Sequence, residues 1–159
     1  MDEVCASIEK NLGDCNELVF CGYGEPTERL DTLLEVAARF RREHPDVLVR
    51  VNTNGLADLI AGKPTAHRFE GLVDTVSISL NAPTAEEYVA LCRPKFGAAA
   101  YPALLKFAEE VKDFVKDVVL TVVGTKDLSP EKEAACRRIA AAHGIPLRVR
   151  TFTGPKEGK

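Results

Sequence analysis

The chain has 159 residues, of which 45% are hydrophobic and 28% charged, and its formal net charge is −3. These values indicate one ordinary globular domain rather than a disordered chain, and they give no reason to expect nucleic acid or an anionic membrane as a partner. Residues 1–14 are charged and lack the apolar segment of a signal peptide, and no apolar run is long enough to cross a bilayer. We therefore expect a cytoplasmic protein.

The five cysteines do not form a metal-binding loop. The closest pair, Cys15 and Cys21, is spaced C-x5-C, and neither C-x2-C nor C-x3-C occurs. Iron–sulfur and zinc loops need thiolates only a few residues apart, so that they converge on one metal. We therefore expect no metal ligands in this chain, and we expect Cys5, Cys21 and Cys136 to pack in the core.

The first predicted elements are a helix over Asp2–Leu12 and a strand over Leu18–Cys21. Apolar residues recur along one stripe of the helix at the helical period. The strand is apolar at all four positions, and this predicts that both of its faces are covered, as in a parallel sheet.

The loop at 22–27, G-Y-G-E-P-T, follows this strand. Gly22 and Gly24 lack a Cβ, so the chain can turn sharply and a ligand can approach the backbone closely. Glu25 places a carboxylate at the carboxyl end of the strand, where α/β sheets and barrels bind ligands, and Thr27 is the predicted N-cap of the next helix. A carboxylate beside backbone carbonyls suits an ammonium group better than a phosphate. A βα turn with a solvated Glu25 is the alternative, and these residues alone leave both open.

The rest of the chain alternates helices and strands with short connections, which favours a parallel sheet with right-handed crossovers. Five strands suit an open or partly closed (β/α) barrel over residues 1–152, followed by a loose polar tail at 153–159. The arginines near the end of the second helix are expected to face solvent and interact with the helix dipole. The predicted elements are a helix over 28–44, a strand over Val47–Asn52, a short helix or turn region at 56–70, a strand over Asp74–Leu80, a helix from Thr84 to about Leu91, a helix from about Tyr101 to Val115, a strand over Asp117–Val123, a helix from Ser129 to Gly144 and a strand over Pro146–Phe152.

Polar residues lie at the ends of several of these elements. Asn52 and Asn54 end the second strand and either form a tight βα turn or contact a ligand. Ser79 and Asn81 lie at the carboxyl end of the third strand, where a small serine either packs against a bulky neighbour or leaves room for a ligand. Arg93 follows a helix and either binds a carboxylate or is solvated.

The sequence G-Y-G-E-P after an apolar strand resembles the GGE motif of radical SAM enzymes, whose backbone and Glu hold the amino group of S-adenosylmethionine (SAM). The resemblance continues through V-N-T-N-G (51–55), V-S-I-S-L-N-A-P (76–83) and L-C-R-P-K-F-G (91–97). In detail the chain is similar to the radical SAM proteins that are associated with TatD-type nucleases. It departs from that family in lacking the cluster-binding C-x3-C-x2-C motif, which is expected upstream.

The resemblance implies a parallel-stranded partial (β/α) barrel of the radical SAM type that binds SAM at the strand ends. The complete protein is expected to hold a [4Fe–4S] cluster, to cleave SAM reductively and to abstract hydrogen from an unknown substrate. Without the three thiolates, this chain is expected to keep remnants of the SAM site but not to cleave SAM reductively. By resemblance, the loop residues Gly22, Tyr23, Gly24 and Glu25 hold the amino group, Asn54, Ser79 and Asn81 contact ribose or carboxylate, and Arg93, Arg148 and Arg150 are secondary candidates for binding anionic groups.

The first predicted helix would normally cross over from an earlier strand, and the chain contains no such strand. We therefore expect a barrel that lacks its first βα unit, so that the unpaired edge of the strand at Leu18–Cys21 pairs with another segment or chain. No nucleophile or general base with supporting spacing is visible. Two other functions stay open, a catalytically silent module that binds a nucleoside or amino acid and an unrelated barrel enzyme that acts on a phosphorylated substrate.

Overall fold

The computed structural model describes residues 2–124 and 128–151, in which five strands form one parallel sheet. The strands lie in the sheet in the same order as in the sequence, so every crossover joins neighbours. This confirms the α/β class and is the architecture of a partial parallel (β/α) barrel. The strands are β1 (Glu17–Phe20), β2 (Leu48–Thr53), β3 (Thr75–Ser79), β4 (Asp117–Gly124) and β5 (Leu147–Thr151).

Helices connect the strands at close to the predicted positions. The second helix starts two residues later than predicted, because Pro26–Arg29 forms a 3₁₀ turn before it, and the fifth ends four residues earlier. The end of the last predicted strand, Phe152, and the tail at 153–159 lie outside the described residues. The helices are α1 (Asp2–Leu12), α2 (Leu30–Glu43), α3 (Ala57–Ala61), α4 (Ala85–Cys92), α5 (Ala100–Val111) and α6 (Pro130–Ala142), with further 3₁₀ turns at Ala66–Phe69 and Gly97–Ala99. Within the described ranges, no helix combines the length and the apolar character needed to cross a bilayer.

The hydrophobic core lies on one face of the sheet, beneath the helices. Alternate strand residues such as Val51, Val76 and Leu120 are fully buried there. The opposite face carries the intervening residues, and at the β1–β2 end Val19 and Leu48 remain 36% and 44% exposed. The prediction that β1 is covered on both faces is therefore wrong, because the described helices pack on the other side of the sheet and β1 is an edge strand. Association through the free edge of β1 stays a prediction.

The cysteines divide between the core and the surface. Cys5 and Cys136 are buried, as predicted, and burial, followed by the nearby Glu87 and Glu133, raises the pKa of the Cys136 thiol. Cys21 is exposed, so the prediction that it packs in the core is wrong. The reason is that β1 ends at Phe20, which leaves Cys21 in the loop beyond the sheet.

A buried carboxylate joins the helices to the amino-terminal end of the sheet. Asp74 is 3% exposed; it accepts a hydrogen bond from Val49 N at 2.8 Å, lies 2.9 Å from Lys116 Nζ and pairs with the Arg41 guanidinium. Burial raises the pKa of this carboxyl, but the hydrogen bond from Val49 and the cations Lys116 and Arg41 outweigh that effect and hold the pKa below its usual value. Arg41 is thus not simply solvated, as the sequence suggested, but anchors α2 to the sheet.

Candidate ligand site at the carboxyl ends of the strands

The Glu25 carboxylate ties the loop after β1 to the end of β2. Its Oε1 accepts hydrogen bonds from Thr27 N at 3.0 Å, Thr27 Oγ1 at 2.7 Å and Thr53 Oγ1 at 2.6 Å. Its Oε2 accepts one hydrogen bond, from Asn54 N at 2.7 Å. All four donors are neutral, and no cation within the described ranges pairs with the carboxylate. Each carboxylate oxygen has about two acceptor positions, so Oε2, which accepts one hydrogen bond, can accept a further one from a charged donor.

Thr27 does not cap α2. It is buried and donates to Glu25, and the Glu25 side chain caps the 3₁₀ turn at Pro26–Arg29 instead. Helix α2 follows directly from that turn, with Arg29 at its N-cap position and no side-chain cap. The prediction for Thr27 is wrong because the inserted turn moves the start of α2 three residues beyond it.

The turn after β2 uses its side chains to start α3. Asn54 Oδ1 accepts a hydrogen bond from Leu56 N at 2.9 Å, and Thr53 Oγ1 accepts one from Gly55 N at 3.1 Å. The turn interpretation of Asn54 is therefore correct for its side-chain oxygen, while the side-chain nitrogen Nδ2 forms no hydrogen bond with the described residues. Gly55 has φ +77°, and a Cβ there would lie 2.8 Å from Ile78 Cγ2, so the tight turn requires glycine.

The end of β3 has an unusual backbone. Leu80 N and Asn81 N both donate to Thr121 O, at 2.8 and 3.2 Å, and Asn81 has φ +60°. Positive φ is uncommon outside glycine and least costly for asparagine. This conformation directs the Asn81 side chain toward α4, where Nδ2 lies 3.4 Å from Cys92 Sγ. Neither the strain nor the contact is visible from the sequence.

These strand ends and loops enclose a cavity of about 590 Å³, within the range of small-molecule sites. All seven residues that the resemblance assigned to the amino group, ribose or carboxylate of the cofactor line it: Gly22, Tyr23, Gly24, Glu25, Asn54, Ser79 and Asn81. Arg93 does not; it is an exposed residue that ends α4 with φ +45°. Of the two β5 arginines, Arg150 lines the cavity and Arg148 lies elsewhere, beside Arg50 and Asp117.

Several cavity residues were not identified from the sequence, among them Tyr88 and Lys95. Tyr88 is buried, and burial, followed by the nearby Cys92 and Glu25, raises its pKa to about 12. The phenol therefore remains a neutral hydrogen-bond donor at neutral pH. Its position in α4 gives no signal in the sequence, whereas Lys95 lies in the L-C-R-P-K-F-G stretch that carries part of the resemblance.

The acidic and the basic side chains of the cavity come from different segments of the chain. Glu25 and Glu28 lie in the segment after β1, whereas Arg150 lies on β5 and Lys95 follows α4. Uncharged polar side chains from β2 and β3, including Asn52 and Ser79, lie between them. We call the carboxylates after β1, Glu25 and Glu28, the acidic end of the cavity and the cations beyond β3, Lys95 and Arg150, its basic end, with neutral hydrogen-bonding groups between the two.

The thiols do not form a cluster site within the described residues. Cys5 and Cys136 are buried in the helical layer, and Cys21 and Cys92 are the two that line the cavity. Among the described ranges, the single group of three potential metal ligands close enough to share an ion is Glu9, Glu43 and His44, which contains no cysteine. A [4Fe–4S] cluster held by three thiolates does not fit the described part of this chain.

Comparison with known proteins supports the architecture. The fold matches that of SuiB from Streptococcus suis, known from a crystal structure, with a TM-score of 0.59 and 16% sequence identity. The match covers 89% of this chain and 30% of SuiB, so the chain spans less than a third of the length of that protein. At this identity the likeness shows the fold alone. No protein-family model and no curated protein matches the chain.

Proposed function

We propose that the cavity binds S-adenosylmethionine and that the chain is part of a radical SAM enzyme. The motifs at 22–26, 51–55, 76–83 and 91–97 support this, because the residues they contribute lie around one cavity. The parallel (β/α) architecture, which is shared with SuiB, is consistent with it. On the same motifs, we propose the TatD-associated radical SAM proteins as the family to which the chain is related.

The observation that carries the proposal is the environment of Glu25. Its carboxylate lies at the cavity wall without a cation from the described residues, and the adjacent loop exposes the backbone of Tyr23 and Gly24. A ligand ammonium group would neutralise the carboxylate while its remaining N–H groups donate to backbone carbonyls. Asn52, Ser79 and Asn81 would then supply hydrogen bonds to the polar groups of the rest of the ligand.

A bound cluster and SAM together supply a carbon radical in radical SAM enzymes. The described thiols do not fit such a cluster. The chain's own residues bind and orient the sulfonium cofactor, and reductive cleavage requires ligands from outside the described residues. Anaerobic treatment of the chain with iron and sulfide is therefore expected to give no Fe–S charge-transfer absorbance, while SAM binding persists.

Calorimetric titration of the chain with SAM tests the binding proposal. Asn52→Ala and Asn81→Gly are each expected to weaken binding about fivefold, because each removes one hydrogen-bonding side chain. Glycine at 81 keeps the backbone conformation, since it tolerates φ +60° without strain. Asn16→Ala is the matched control: this exposed residue precedes β1 at the opposite end of the sheet and is expected to change nothing. Equal effects of all three variants, or no binding of SAM, would refute the proposal.

A catalytically silent module that binds a nucleoside or an amino acid is the second candidate. This candidate is favoured by the positions of the described cysteines, which do not lie close enough together to hold an iron–sulfur cluster. Titrations with adenosine and with methionine separate the two candidates. A radical SAM site is expected to bind SAM more tightly than either part, because both ends of the cofactor gain contacts, whereas a nucleoside site binds adenosine as tightly as SAM.

A further inference from the structure

We infer that the basic end of the cavity, formed by Arg150 and Lys95, binds an anionic group of a second ligand, so that the substrate carries a carboxylate or a phosphate. This inference rests on the proposed function, because it assigns the acidic end to the ammonium group of SAM. Arg150 lies outside the four motifs that support the cofactor, whereas Lys95 belongs to the stretch at 91–97.

The first argument is the lack of internal partners for these cations. On the open face of the sheet, Arg50 is paired with Glu17, with Nη2 and Oε1 2.7 Å apart. Arg150 is on the same face, three strands away, and neither it nor Lys95 forms an ion pair with any carboxylate in the described ranges. Lys95 Nζ lies 5.5 Å from the centre of the Phe96 ring, and this cation–π contact leaves its charge without a carboxylate partner among the described residues. Both cations line the cavity and are exposed to whatever enters it.

The second argument is the distance from the acidic end. Glu25 is hydrogen-bonded at the end of β2, and Arg150 is on β5, three strand spacings further along the sheet. At about 4.8 Å per spacing this is roughly 14 Å along the sheet. The ammonium and carboxylate groups of an amino acid are attached to the same carbon. The carboxylate of an amino acid held at Glu25 therefore lies near β2 and β3, and Arg150 is left to bind a different anion.

The third argument is the geometry of the Arg150 guanidinium group. A guanidinium group donates two parallel hydrogen bonds to a carboxylate or a phosphate, and the Lys95 ammonium group adds a second positive charge to the same cavity. Arginines on an edge strand also discourage edge-to-edge association, and for Arg148, which lies outside the cavity, that explanation suffices. Arg148 therefore serves as a matched control for Arg150, being on the same strand and the same face.

The test is a nuclear magnetic resonance titration of the isotope-labelled chain with succinate, inorganic phosphate and the neutral amide succinamide. Succinate or phosphate is expected to shift the Arg150 side-chain Nε–H resonance saturably, and the stronger of the two identifies the anion class. Succinamide is expected to leave it unchanged. Arg150→Gln is expected to weaken anion binding about tenfold and Lys95→Gln severalfold, in line with the loss of charge-assisted hydrogen bonds. Arg148→Gln is expected to have no effect.

Three results would overturn the inference: no saturable shift with either anion, an equal shift with succinamide, or equal losses from Arg148→Gln and Arg150→Gln. The last would show a general attraction between anions and an exposed basic strand. A parallel titration with SAM, followed through the backbone amides of Asn54 and Gly24, keeps the two proposals separate. Loss of SAM binding with an intact anion site refutes only the proposed cofactor, and the reverse result refutes only the anionic substrate.

Discussion

Replacement of Glu25 by glutamine measures how much of the site's architecture depends on one carboxylate. Glutamine keeps one acceptor oxygen but replaces the other with an NH₂ group. If that group takes the place of Oε2, it faces the N–H of Asn54, which then loses its 2.7 Å hydrogen bond. If the amide is reversed, the NH₂ group takes the place of Oε1 and faces three donors, two from Thr27 and one from Thr53. At least one donor is left unsatisfied in either orientation.

The expected cost follows from these hydrogen bonds. An unsatisfied, partly buried donor costs about 1–3 kcal/mol, and the surviving hydrogen bonds lose the assistance of the negative charge. We expect Glu25→Gln to lower the free energy of unfolding by about 2 kcal/mol. With a urea slope of about 2 kcal/mol per molar, the unfolding midpoint falls by about 1 M.

Urea unfolding followed by circular dichroism provides the assay, and Glu28→Gln provides the control. Glu28 lines the same cavity but is exposed, and no side-chain hydrogen bond of its carboxylate is found within the described residues. Its replacement is expected to change the free energy of unfolding by no more than about 0.5 kcal/mol. If Glu25→Gln shifts the midpoint no more than Glu28→Gln does, the carboxylate does not hold the two loops together and the reasoning fails.

Three further predictions concern stability. Gly55→Ala is expected to lower the free energy of unfolding by about 3 kcal/mol, because the new Cβ would lie 2.8 Å from Ile78 Cγ2. Gly71 has φ +70° but open space around it, so Gly71→Ala is expected to cost only about 1 kcal/mol of backbone strain, and equal urea midpoints for the two variants would contradict this reasoning. The pKa of Asp74 is lower in the folded than in the unfolded chain, so the carboxylate stabilises the fold fully above its unfolded pKa near 4, and this stabilisation is lost as the pH falls through the folded pKa. Asp74→Asn is expected to make the melting temperature depend less on pH in that range and to lower the free energy of unfolding by about 3 kcal/mol at neutral pH. An unchanged dependence of the melting temperature on pH would refute the assignment. Burial raises the pKa of Tyr88 to about 12, so the stability that the neutral phenol contributes is present below the unfolded value near 10 and is lost between pH 10 and 12. Burial raises the pKa of Tyr101 to about 12 as well, so an absorbance titration of phenolate should lose about half of its uppermost step in Tyr88→Phe, whereas a loss near pH 10 would contradict burial of the Tyr88 phenol.

The fold could be predicted because each element is signalled locally. Helix α1 has the predicted bounds, and β4 differs from the prediction by one residue, because apolar periodicity and flanking glycine or proline residues mark both. The errors occur where tertiary contacts decide the outcome. Whether β1 is covered on one face or two depends on which side the helices pack, and four apolar residues do not determine that.

The composition of the site was partly predictable for a topological reason. In a parallel sheet all carboxyl ends lie at one edge, so Glu25, Asn54, Ser79 and Asn81 had to lie at the same end of the molecule. The hydrogen bond between Glu25 and Thr53 joins residues 28 positions apart and has no sequence signature. Arg41 and Asp74, 33 positions apart, are a second case.

Some side chains of the site hold the loops together and others are free to contact a ligand, and the hydrogen bonds within the protein show which are which. Glu25 Oε1 and Asn54 Oδ1 are committed to holding the loops, whereas the side chains of Asn52 and Ser79 form no hydrogen bond within the described ranges. A half-buried polar side chain without a protein partner costs free energy unless water or a ligand satisfies it. The least bonded residues are therefore those best able to contact a ligand, even though Asn52 had the weaker sequence signal of the two asparagines. Substitutions at Asn52 and Ser79 test ligand binding without disturbing the loops, whereas substitutions at Glu25 alter both at once.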